Sequence, residues 1–151
     1  MGPSYTARVA IDSDEERAWG RFAPGSVERR MLVDAGAHLG VELRPRMIRL
    51  DRARVEVEGI DAADRYIAQL VANQGAYKPA FRNKVMADFF KLLWLRQTIP
   101  GAPEPVLVIA EPVRRALAGW VGTAAAETGI TVLVWGAGAN GSVTAYGQDD
   151  A

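Results

Sequence analysis

Cysteine is absent from the 151-residue sequence, which removes disulfides and thiolate metal centres from consideration. Histidine occurs once, at His38, so no His-rich zinc site can be assembled and a Ser-His-Asp triad would hang on that one residue. Any metal would be held mainly by oxygen, which points to magnesium, manganese or calcium. No apolar run approaches the roughly 18–20 residues a bilayer span requires, so no membrane association is expected. The N-terminal stretch Met-Gly-Pro-Ser-Tyr-Thr-Ala-Arg lacks the apolar centre of a signal peptide, and a cytoplasmic location is the expectation. Net charge is zero, so bulk charge carries no case for nucleic acid.

The distribution of charge says more. Asp12, Asp14, Glu15 and Glu16 make an acidic patch, and Asp149 and Asp150 an acidic tail. Between Gln74 and Gln97 stand Lys78, Arg82, Lys84, Lys91 and Arg96 against Asp88 alone. Arg44, Arg46, Arg49, Arg52 and Arg54 form a second basic cluster. Locally basic faces on a neutral protein are compatible with phosphate contact, and equally with an ordinary solvated surface.

With 49% hydrophobic and 24% charged residues, the chain reads as one globular domain. Residues 1–25, with Pro3, Pro24 and several glycines, read as a loosely packed arm with one short element near 6–11. Ser26 as N-cap, Val27, Met31, Ala35 and Leu39 at four-residue spacing, and Gly40 as stop predict a helix over 27–39. His38 sits near its C-terminus, where the helix dipole favours it without any catalytic role. Strand patterns at 47–50, 54–60 and 66–72 are separated by turns containing Asp51, Asp61 and Asp64, which predicts a meander. A loop over 73–81 leads to a helix over 82–98, stopped by Pro100-Gly101. The continuous apolar runs 105–110 and 130–135 predict buried parallel strands joined by a helix over 112–128. Trp94 and Trp120 fall within these helices and read as core. The glycine-rich segment from Gly136 reads as a flexible tail over 136–151. No helix pattern follows it to accept a pyrophosphate, so a dinucleotide loop is not favoured. The expected domain, 26–135, is α/β, with a mixed central sheet of about five strands flanked by helices.

This order places an acidic strand (Arg-Val-Glu-Val-Glu-Gly) beside a Gln-bearing strand (Tyr-Ile-Ala-Gln-Leu-Val) and a lysine-rich helix. It resembles the PD-(D/E)xK, restriction-endonuclease-like nuclease superfamily over roughly residues 26–135. The resemblance implies hydrolysis of phosphodiester bonds in nucleic acid, taken here as DNA, with magnesium or manganese as cofactor. Glu58 matches the first acidic position, Gln69 the second and Glu28 the acidic residue of the first helix, with Glu58 and Gln69 as metal ligands. Val71 stands where the pattern carries lysine, so the lysine would be Lys84, or in second place Lys78 or Lys91. The alternative is a module of the same fold that no longer cleaves and binds nucleic acid or a protein partner. A homodimer is compatible with either.

The chemistry fits those residue types. Phosphodiester cleavage needs carboxylates to fix a divalent ion, and magnesium accepts one or two of them. Glu56 shares the strand face of Glu58 by two-residue alternation and is a candidate second acid. Gln69 interrupts an apolar strand, and a buried amide without partners would cost about 1–3 kcal/mol, so its partners matter. Lys84, Asp88 and Lys91 share a helical face, which reads as solvated with weak ion pairs, or as Lys84 poised over a phosphate. In the loop, Tyr77 can stack on a base while Lys78 and Arg82, with Lys91 beyond, contact phosphates.

Overall fold

The computed structural model describes residues 18–136 and 141–147. The element near residues 6–11 lies outside them. In chain order the elements are α1 (Val27–Leu39), β1 (Arg44–Leu50), β2 (Ala53–Ile60), β3 (Tyr66–Val71), α2 (Ala80–Thr98) and β4 (Glu104–Ala110). A 3-10 helix (Glu111–Leu117), α3 (Trp120–Glu127), β5 (Thr131–Trp135) and β6 (Val143–Ala145) follow. One open sheet runs in the order β1-β2-β3-β4-β5-β6. The β3–β4 and β4–β5 pairs are parallel; the others are antiparallel. Among the described residues the sheet has six strands rather than about five. The added one, β6, lies in the segment read as tail, where Val143–Ala145 pairs with the edge of β5.

The local signals of α1 hold at both ends. Ser26 Oγ accepts the Arg29 N–H at 3.2 Å, and Gly40 takes the left-handed conformation that glycine adopts without strain. The helix expected over 112–128 is instead broken in two. Gly119, at φ 68° and ψ −140°, is outside helical space, so a 3-10 segment ends before it and α3 starts after it. Trp120, expected in the core, therefore opens α3 at the surface, 65% exposed. Trp94 is only partly buried. From the segment read as a loose arm, Trp19 and Phe22 are buried against the core.

The core is centred on β3, β4 and β5, where Val106–Ala110 are completely buried. Ala68 lies on the α1 side of β3, and the neighbouring Gln69 reaches Asp88 of α2. Successive strand residues point to opposite faces, so the two helices cover the two sides of the sheet. The close fit of α1 depends on Gly59, where an added Cβ would stand 2.6 Å from Leu32 Cδ2. Glu28 is one turn before Leu32 on the same helix face, so this contact also brings Glu28 towards β2. No helix among the described residues is long and apolar enough to cross a membrane.

Candidate functional site

The site begins where two strands part. The β2–β3 register is confined to Gly59↔Ala68 and Ile60↔Ile67. Against β1, the step from Arg44 to Arg46 matches the longer step from Ile60 to Val57, which puts one extra residue, a bulge, in β2 around Glu58 and Gly59. Bulges re-aim side chains and open ladders. Here the lost main-chain pairing is replaced by side chains. Glu58 Oε1 accepts the Leu70 N–H at 2.8 Å, and Gln69 Oε1 accepts the Glu58 N–H at 3.2 Å. A buried N–H without an acceptor is costly, so these two bonds stabilise the fork.

The Gln69 amide nitrogen donates to Glu58 Oε1 at 3.2 Å and to Asp88 Oδ1 at 3.4 Å. Lys84 Nζ then closes on Asp88 Oδ2 at 2.7 Å, one helical turn away. Gln69 is 2% exposed and Asp88 5%, so the face expected to be solvated carries a buried acid at its centre. The reason is visible in α2, where Phe81, Val85, Asp88, Leu92 and Leu95 form one buried stripe. That spacing of three and four was readable from the sequence, and Asp88 belongs to it.

On the other side of Glu58, Arg21 bridges two carboxylates. Its Nη2 donates to Glu58 Oε2 at 2.7 Å and its Nε to Glu56 Oε1 at 3.0 Å. Burial alone would lower the Arg21 pKa. The hydrogen bond and charge of Glu56, then those of Glu58, outweigh it and hold the guanidinium above its ordinary value. Arg21 was not identified from the sequence, because its segment has no periodicity and its partners are remote in the chain.

Glu58, Glu28, Lys84 and Arg21 line one cleft of about 390 Å³, together with Leu70 and Val71 at the end of β3 and Ala72 and Asn73 just beyond it. Glu28, in the first turn of α1, and Lys84, in the second turn of α2, reach it from the two sides of the fork. Gln69 is not on the wall and lies behind Glu58. Lys78 is exposed, Arg82 and Lys91 are half-buried, and none of them lines the cleft. The Tyr77 ring is already packed, edge-on to Phe81 at 5.7 Å with the Arg115 guanidinium 4.9 Å from its centroid. A larger depression of about 690 Å³ lies by Arg44, Arg46, Asp61 and Arg65. There the short contacts of Asp61 are main-chain N–H groups and Arg46 is tied to Asp64, so it offers little reactive chemistry.

Among the described residues no group of three His, Cys, Asp or Glu side chains is placed to hold a metal ion. Two carboxylates, Glu58 and Glu28, do border the same open space. That oxygen-only donor set fits magnesium or manganese, which take one or two protein carboxylates and complete their shell with water and substrate oxygens. It does not fit a preformed cage. Comparison with protein-family models, curated proteins and solved structures finds no match to this chain.

Proposed function

We propose that this protein is a magnesium- or manganese-dependent nuclease acting on DNA, with its reaction centre in the cleft at the β2–β3 fork. One observation carries the reading. Glu28, Glu58 and Lys84 come from three separate elements, and all three residues line the same cleft.

The roles follow from the surroundings of each group. Glu58 and Glu28 would hold the ion, which when bound polarises a phosphate and activates water. Gln69 is a positioning residue: it grips Glu58 at both the main chain and Oε1, fixing the carboxylate's direction. Lys84 stands at the cleft wall with its ammonium held by Asp88, suited to stabilise charge that develops on phosphate oxygens. Arg21 neutralises Glu56 and Glu58 and, being half exposed, can exchange those carboxylates for a phosphate.

A second reading is favoured by a specific observation. Both oxygens of Glu58 and both of Asp88 already have partners within the chain. A module that binds nucleic acid or protein without cleaving it would have the same closed network. Plasmid cleavage separates the two. Wild type should cut with added magnesium or manganese, and Glu58→Ala should not. No cutting by wild type with either metal would leave the binding reading in place.

A further inference from the structure

The β1–β2 hairpin carries a charge arrangement that its own fold does not use. Arg49 and Arg54 are directly opposed in the register of the two strands, on either side of a turn containing Asp51 and Arg52. Like charges placed opposite each other destabilise a strand pair. Other arginines of the hairpin are partnered, Arg46 with Asp64 and Arg44 with Glu42. Arg49, Arg52 and Arg54 are exposed, and none makes an ion pair among the described residues. Asp51 is the one acid between Met47 and Val55.

The direction of the opposed pair is fixed by contacts already described. Arg21 touches both Glu56 and Glu58, so those two side chains emerge on the same side of β2. Arg54, two residues before Glu56, shares that side by alternation, and its register partner Arg49 shares it as well. The opposite side carries Ile48, Leu50 and Val55, which pack against the core and anchor the hairpin. The cationic pair therefore stands on the cleft side, four residues along β2 from Glu58. At about 3.3 Å per residue this is roughly 13 Å, or about four base pairs of duplex rise. A two-stranded ribbon also has the width a duplex major groove accepts.

We infer that the cleft-side face of the β1–β2 hairpin, through Arg49 and Arg54, is a phosphate-gripping arm for double-helical nucleic acid. It holds the backbone about four base pairs from the bond lying in the cleft. The inference rests on nucleic acid being the partner, and it does not depend on cleavage.

The test is fluorescence anisotropy with a labelled 20-base-pair DNA duplex in EDTA, across a salt series. The double variant Arg49→Ala/Arg54→Ala should bind about 10- to 100-fold more weakly at 0.1 M salt, and its log K against log salt should shallow by roughly two. Arg49→Lys/Arg54→Lys, which keeps both charges, should retain the wild-type slope. The alanine variant should melt at or above the wild-type temperature, because a like-charge pair has been removed. A lower melting temperature would assign the pair a structural role and overturn the inference. An unchanged slope in the alanine variant overturns the arm alone, as does tighter wild-type binding to a single-stranded 20-mer than to the duplex. Absence of wild-type binding at low salt overturns the nucleic-acid partner and the arm together. Plasmid cleavage by wild type and Glu58→Ala reports separately on the reaction.

Discussion

Two buried carboxylates lie at the end of β2, and they are built differently. Asp61 closes the turn into β3. Its Oδ1 accepts the Arg65 and Tyr66 N–H groups at 2.8 and 2.7 Å, and its side chain is almost wholly enclosed. Its other oxygen lies 3.6 Å from the guanidinium of Arg65. Glu58 at the fork is divided. One oxygen is tied to the Leu70 N–H and Gln69, and the other meets the guanidinium of Arg21, itself 55% exposed. A carboxylate held by main-chain groups can change partners only if the chain moves. One held by an exposed side chain can change partners by a rotamer shift. The Asp61 turn is therefore architecture, and the Glu58 fork is a place where a ligand can enter.

Removing the charge at each position should give opposite results, and the largest effect is expected at the fork. Glu58→Gln retains an oxygen to accept the Leu70 N–H while losing the carboxylate. Cleavage should fall by on the order of 10²–10³-fold, with the melting temperature little changed. Equal activity in Glu58→Gln and wild type would put the reaction centre elsewhere.

The turn should show the reverse. Asp61→Ala leaves two main-chain N–H groups without their acceptor and should cost about 1–3 kcal/mol, roughly 2–12 °C in melting temperature. Cleavage per folded molecule should be unaffected. The charge itself is tested through pH. Burial pushes the Asp61 carboxyl up, but the main-chain N–H groups of Tyr66, Arg65, Asp61 and Ala63 together outweigh it and hold it below its usual range. A carboxyl lowered in the folded state contributes stability above its unfolded value of about 3.9 and loses that contribution as pH falls through the folded value. Asp61→Asn keeps the acceptor oxygen without the charge. Its melting temperature should lie below wild type at neutral pH, and the gap should narrow as pH falls below about 4. A gap that stays constant as pH falls below about 4 would remove the charge from the account.

How far this contrast could be read from the sequence depends on how local each signal is. Helix α1 was legible to its ends because Ser26 and Gly40 act on their immediate neighbours. The parallel strands β4 and β5 were legible as uninterrupted apolar runs between turn residues. Gly119 was visible, but a glycine in a helical pattern does not reveal that its φ will be positive. Strand β6 spans only Val143–Ala145 and exists through its pairing with β5, which no local pattern encodes. Gln69 announced itself as a polar residue in an apolar strand, and its buried partners explain it. The family resemblance led to the expectation that Glu28, Glu58, Gln69 and Lys84 converge; the first, second and fourth line one cleft, while Gln69 lies behind Glu58. Asp88 was hidden by a reading that placed it with Lys84 and Lys91 rather than with Val85 and Leu92. Arg21 had no signal, because a long side chain in an irregular segment finds its partners only through the fold.

Arg21 supplies the smallest test, and the one that bears most directly on how open the fork is. Its ion pairs with Glu56 and Glu58 are short, but the arginine side chain is 55% exposed and that of Glu56 27%. Exposed pairs contribute little once solvent screening and side-chain entropy are counted, so Arg21→Ala should cost under about 1 kcal/mol. The charge it removes is a competitor for Glu58 Oε2. If Glu58 holds the ion, losing that competitor should lower the magnesium concentration for half-maximal cleavage by about two- to fivefold, a coupling of under 1 kcal/mol. Titration calorimetry with manganese, without nucleic acid, should show the same direction. A raised metal requirement in Arg21→Ala would mean that the arginine supports the ion's site rather than competing for it. A drop of several degrees in melting temperature would make the Arg21 contact as structural as the Asp61 turn and erase the distinction between the two carboxylates.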